Sequence, residues 1–493
     1  MTTMQAEAAV ERRYPQGVFS MFFLQLFSMI GFSMVFALLV LYVTYRLHFD
    51  VHHAFALSAT FNALVFAFAV FGGYLGERFL GYRYAVWLSI ILATIGMLIL
   101  AIPRVDAVYW GLAIFIVATG IMTPCLFVLL GRLYHAKDPR RDSGFTIAYI
   151  GMNVGSFSAS IASGYLTRYG SYSGAFLIGA FFTFVLLIVF LLYRKDFKHS
   201  GEVMAFVKTR PDAIKRSRMM GVCLVAISLP ITAFLVRFAS ISNLILLVVG
   251  VMAVGLVIYL AMQESKQYRS KLFVYLMLTV ISVAFWALYS LTPSAIIMFV
   301  HNNVDRHLFG YAIPTASYSA LNPLFIIIFG PLISFLWMYL NYHNRGISTP
   351  AKFAIGVFLM GGGFLILAVG IGATGSHGLL SSWWIVLSYL LQTLGELCVG
   401  PIGFAMVGEL VPARLEGLMM GIWQLAAGVA GALTEFMANY TTSPKGIAPA
   451  VTNPIYAHAF LLFGSITVGV AVINVLLVPY LKKLSSLKDA VVR

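Results

Sequence analysis

Charge is what this chain has least of. Its 493 residues include 32 basic and 17 acidic side chains, so 10% are charged, against 61% hydrophobic residues and a mean hydropathy of +0.92. A soluble chain of this size needs about a quarter of its residues charged to cover its surface, so a soluble multidomain protein is excluded. Cysteine is scarce too: Cys125, Cys223 and Cys398 lie in apolar runs without pairing pattern and read as packing residues. No run alternates with period two, which excludes a lipid-facing barrel. Residues Met1 to Gly17 are polar and the first apolar run is too long for a signal-peptide core, so no cleavable leader is expected. The apolar runs hold no paired acids, no nucleophile with a base and no histidine set, so neither an enzyme nor a cofactor is expected. His48, His52 and His53 cluster between two runs, but their spacing suits no tetrahedral metal site, and they read as a solvated loop.

What the chain does have is apolar runs long enough to cross the roughly 30 Å hydrocarbon core as helices. Fourteen are predicted, from 18–45 to 456–481. With the N-terminus placed inside, 26 of the 32 basic residues fall on the inner side, and the outer side holds Arg46, Arg104, Arg168, Arg237, Arg306 and Lys445. Both termini are therefore expected in the cytoplasm, and the net charge of +15 reads as a topology signal with no nucleic-acid partner behind it. The expected fold class is an all-α polytopic membrane protein. Its predicted order is a tail (1–17), a six-helix bundle (18–193), a basic inner linker (194–218), an inserted hairpin (219–263), a second six-helix bundle (264–481) and a tail (482–493). The hairpin has few polar residues apart from Arg237 and is predicted to face lipid.

The two bundles echo one another. After the fourth span of each, GRLYHAKDPRRDSG and GELVPARLEG place Arg141 three residues before Gly144 and Arg414 three before Gly417, each followed by a helix rich in small residues. Such internal repeats are the mark of a transporter whose halves rock about a central site. The inner loop GGYLGERFLGYR, with Glu77, Arg78 and Arg83, resembles the Gly-x-x-x-Asp-Arg-x-x-Gly-x-Arg loop of the major facilitator superfamily. With Arg141 and Arg414, its charges are candidates for an inner latch that breaks and re-forms.

Longer motifs sharpen the resemblance. AYIGMNVG, FWALYSLTPSAIIMFVHNNVDRHLFGYAIPTASYSALNP, GELCVGP and PARLEGLMMGIW follow one another along the chain, and the matches, spread over roughly residues 20–430, are similar in type and order to motifs of the proton-dependent oligopeptide transporter family. The resemblance implies two six-helix bundles with an inserted hairpin, alternating access and a short-peptide substrate. It also implies that Glu396 receives the substrate's amino group, that Asn153 and Asn322 assist it, and that Tyr149, Trp286, Tyr289, Trp423, Phe32 and Phe66 line the cavity.

The departures bear most on function. Where the family has ExxERFSYY, this chain has QLFSMIGFS, so Gln25, Ser28 and Met29 replace Glu, Glu and Arg, and Phe32 and Ser33 replace two Tyr. Phe36 stands at a family Arg, Thr123 at the Lys of GLFKPN, and Ser290 and Leu291 at the Glu and Gln of FWALFEQ. The groups that the family uses for the substrate carboxylate and for proton coupling are absent. Glu396 and Glu435 are the acids well inside predicted spans, and an ionised group there costs about 2.5–3.5 kcal/mol on insertion scales. Both are candidates for proton coupling. The expected activity is transport, across a bacterial-type inner membrane, of a peptide-like or amine-bearing solute with altered or absent proton coupling. Transport of a siderophore or amino-acid derivative, and a receptor-like relative that no longer transports, are the alternatives.

Overall fold

The computed structural model describes residues 17–134, 141–169, 171–197, 211–374, 378–412, 415–442 and 447–485. In lipid every backbone polar group needs an internal partner, so the apolar runs fold as helices. Helices α1 (Val18–Leu41), α2 (Val51–Leu75), α3 (Tyr82–Leu100), α4 (Val105–Gly131), α5 (Arg141–Arg168) and α6 (Tyr172–Tyr193) come first. Next are α7 (Pro211–Arg237) and α8 (Ala239–Met262), and then α9 (Lys266–Ser290), α10 (Ile297–Asn303), α11 (Leu321–Tyr342), α12 (Thr349–Gly372), α13 (Ser382–Leu410), α14 (Glu416–Asn439) and α15 (Pro449–Ser485). Among the described residues, thirteen helical stretches are long and apolar enough to cross a membrane. The fourteenth expected span is α14. The run expected at 272–300 is interrupted: Thr292–Ile296 forms a π-helical turn with Pro293 at its start, and α10 continues from it. Helix α7 begins at Pro211, eight residues before its apolar run, because Pro and Asp212 suit a helix start.

The described residues cluster into two compact units that divide helices along their length. One comprises the chain up to Val35, Phe68–Ala159 and Ser171–Phe234; the other comprises Phe36–Ala67, Ser160–Gly170 and everything from Leu235. In the first unit, Gly151 and Gly155 of α5 press on the backbone carbonyls of Phe22 and Leu26 in α1. The small residues of AYIGMNVG thus serve close helix approach, where any Cβ would collide. The hairpin helix α7 docks on the inner loop: Ser217 donates to the Phe79 carbonyl at 3.1 Å, Arg218 lies 5.2 Å from the Tyr84 ring centroid, and Gly221 meets Leu80.

The second unit joins residues of the expected first bundle to the second bundle. Gly428 and Gly431 of α14 pack on the α2 backbone at Ala63, and Gly164 of α5 packs on Ser317. Tyr45, in the π-helical turn that ends α1, donates to Asn302 Oδ1 at 3.1 Å and lies against His301, 4.5 Å between centroids. The Tyr45 contacts lie at the end of α1 nearest the 46–51 loop, whereas Ala63 and Gly428 lie mid-way along α2 and α14.

Candidate functional site

Glu396 sits mid-way along α13, one turn before Pro401. Proline cannot donate to the Leu397 carbonyl, so the helix is loosened just past the carboxylate. Thr393, three residues earlier, shares its face. Asn322, in the first turn of α11, donates from Nδ2 to Glu396 Oε2 at 2.6 Å and to Thr393 Oγ1 at 3.1 Å. Buried Gly400 lies between Trp286 and Glu396, with the Trp286 indole 3.9 Å and Glu396 Cγ 4.0 Å from where its Cβ would stand. Trp286 of α9 packs edge-on against Tyr289, 5.5 Å between centroids. The second unit thus gathers a half-buried carboxylate, two neutral polar groups and an indole at one place.

Trp423 and Phe66 lie elsewhere in the same unit. Trp423 is 3% exposed and wedged between Gly403 and Phe353, a packing residue of α12, α13 and α14. Phe66 is half-buried beside Gly428, at the contact of α2 with α14. Tyr318 hydrogen-bonds Ser382, which donates to the Asp305 carbonyl at 2.5 Å, so it belongs to the loop network after α10.

The first unit holds the other predicted positions. Asn153 of α5 is buried and turns its amide back to the Tyr149 carbonyl at 2.9 Å. Ser28 donates to the Gln25 carbonyl at 2.9 Å and Ser33 to Ser156 at 2.9 Å. Gln25 is 2% exposed, and its Nε2 finds no acceptor among the described residues. Phe32, Thr123 and Tyr149 are half-buried. A buried amide donor without an acceptor therefore stands where the resemblance leads one to expect an acid.

Among the described residues the latch charges are not paired. Glu77 and Arg78 occupy an exposed π-helical turn, Gly76–Leu80, and among the described residues neither they nor Arg83 form an ion pair. The Arg141 side chain and Arg414 fall outside the described residues.

Two sequence readings need correction. His52 and His53 belong to the first turn of α2, with His52 Nδ1 2.9 Å from Asn439 Oδ1. The hairpin is not simply lipid-facing. Many apolar side chains on α7 and α8 are exposed, as lipid contact requires, but Ser242 and Asn243 are buried and the exposed Ser240 bonds inward to Glu435. Ser240 and Asn243 donate to Glu435. Counting polar residues could not find this, because one helix face suffices to bury them.

Thirteen apolar helical stretches among the described residues, one of them carrying a carboxylate at its middle, make this a polytopic helical membrane protein. Comparison with known proteins makes the class specific. A model of the POT family (PTR2) matches residues 83–453. The dipeptide and tripeptide permease B of Photorhabdus asymbiotica subsp. asymbiotica is 32% identical over 483 residues, covering 96% of this chain and 97% of that protein. A dipeptide and tripeptide permease A of Klebsiella pneumoniae is 30% identical, with 96% and 94% covered. A crystal structure of a mutant peptide transporter POT in complex with alafosfalin is similar with a TM-score of 0.84 and 27% identity, over 98% of this chain and 99% of that one. The chain belongs to the POT family of transporters and shares their fold.

Proposed function

We propose that this protein carries a short peptide or an amine-bearing, peptide-like solute across the inner membrane by alternating access, both termini cytoplasmic, with proton coupling altered or lost at its first helix. The observation that carries the reading is Glu396, held by the neutral amide of Asn322 beside Trp286. A carboxylate taken out of water without a cationic partner is costly unless it binds a proton or the ammonium group of a ligand. Proton and substrate amine then compete for one oxygen pair, which yields exchange between them.

The relatives' names give peptides as the solute class, and the departures in α1 and α4 narrow it. Gln25, Ser28, Met29 and Thr123 present no charge to a substrate carboxylate or to a proton. Solutes whose carboxylate is amidated, esterified or absent are therefore preferred over zwitterionic dipeptides. Purified protein is screened by thermal shift against dialanine, dialanine amide, simple amines and siderophores. The amide stabilises the wild type more than dialanine does, and Glu396→Ala shows no shift. Robust proton-driven dialanine uptake in proteoliposomes, abolished by Glu396→Gln, overturns the reading.

A further inference from the structure

Within the first unit, basic side chains gather where the hairpin helix α7 docks on the π-helical turn Gly76–Leu80. Ser217 of α7 donates to the Phe79 carbonyl at 3.1 Å and approaches the Arg78 carbonyl at 3.4 Å, and one turn on Gly221 sits against Leu80. That seating brings Arg218 to the start of α3, its guanidinium carbon 5.2 Å from the ring centroid of Tyr84, the residue after Arg83. The Nε atoms of Arg83 and Arg218 are both shut off from solvent, and neither has a hydrogen-bond acceptor among the described residues. Among those residues no ion pair involves either arginine, and the acids nearest to them in sequence, Glu77 and Asp212, are exposed. A guanidinium carries five donors in a fixed fork, and a shielded nitrogen without an acceptor has a desolvation cost that an anion would remove.

We propose that this patch binds the phosphate of an anionic phospholipid, with Arg83 and Arg218 as its two guanidinium ligands. The proposal goes beyond the transport reading and is independent of what the protein carries. Phosphate oxygens match the guanidinium fork, and an anion shared by two like charges replaces repulsion by attraction. The neighbours of the patch specify a lipid over a free anion. Tyr84 packs against Trp87 at 5.4 Å between centroids, and amphipathic rings of this kind sit at headgroup depth. Met219 and Met220, which follow Arg218 on α7, are well exposed, as is Tyr74 just before the π-helical turn. Cations at headgroup level thus continue into apolar surface suited to acyl chains, and one amphipathic molecule satisfies both. A phosphate held in this way ties α7 to α3, since its ligands come from both helices.

The test is native mass spectrometry of the full chain in neutral detergent, offered equal amounts of phosphatidylglycerol and phosphatidylcholine. The wild type retains phosphatidylglycerol about tenfold better than phosphatidylcholine, and Arg83→Gln combined with Arg218→Gln brings the two lipids within about twofold of each other. Arg83→Gln alone leaves the Arg218 contact with Tyr84 in place. It lowers the preference roughly threefold and keeps the test available if the double variant does not fold. Arg216→Gln, at an exposed position of the same helix, keeps the wild-type preference. Equal retention of the two lipids by the wild type, an undiminished preference in the double variant, or the same loss in Arg216→Gln each overturns the site. Displacement of the bound phosphatidylglycerol by inorganic phosphate overturns the lipid as occupant in favour of a free anion.

Discussion

The two acids of the spans, Glu396 and Glu435, sit in different chemistry. Both accept hydrogen bonds from neutral groups. Glu435 is enclosed, with donors from the hairpin on both oxygens. Glu396 is half-buried, with one amide donor on Oε2, and lies beside Gly400 and Trp286. The difference teaches how to tell a structural acid from a binding one: donors from the protein on both oxygens argue for holding helices, and a half-buried carboxylate with one protein donor argues for holding a ligand.

The largest effect that could break the comparison is at Glu396. Glu396→Gln should weaken an amine-bearing ligand by about 2 kcal/mol, roughly thirtyfold, as expected for a hydrogen bond to a charged group. Isothermal titration with dialanine amide checks it, and Glu435→Gln should leave that affinity within about twofold. Equal losses in both variants would erase the distinction.

Next is the neutral position Thr123 in α4. Thr123→Lys restores a cation where the resemblance places one, and should raise the preference for dialanine over its amide about tenfold, read as a ratio of competition constants. No change in that ratio would mean that the carboxylate end of the substrate lies elsewhere.

A smaller effect, of unusual sign, is predicted at Gln25. Its buried donor lacks an acceptor, so Gln25→Met removes a desolvation cost and should raise stability by about 1 kcal/mol in a detergent melt. Loss of ligand binding in the same variant would instead make Gln25 a substrate contact.

The smallest effect lies outside the spans. The hydrogen bond from His307, at 2.7 Å, holds the Asp305 carboxyl below its ordinary range. A depressed carboxyl contributes stability above its unfolded value, near 3.9, and that contribution is lost as pH falls through the folded value. His307→Ala should therefore melt slightly earlier than wild type at neutral pH, the gap closing below about pH 4. Because both side chains are well exposed, a gap that persists in acid would point to packing and not to charge.

Much of the fold was legible in the chain. Scarce charge and run length carry the polytopic helical class, because the bilayer imposes one requirement on every spanning segment. Glu396 was legible as an acid in an apolar run, and its pairing with Asn322 through the family resemblance. The burial of Trp423 was not, since an aromatic lining a cavity and one wedged against glycines leave the same trace in a sequence. Nor were the partners of Glu435, which depend on how α8 is rotated against α2 and α14.

Composition and run length determined that this protein is a polytopic helical membrane protein with few intramembrane charges, and the motif resemblance pointed to a transporter family. Only the tertiary structure decided which helix faces meet, that Gln25 is left without an acceptor and that Glu435 is tied to the hairpin. The physical reason is that transfer of a side chain into lipid or into protein interior depends on how apolar it is, whereas hydrogen bonding depends on direction and distance to a particular partner.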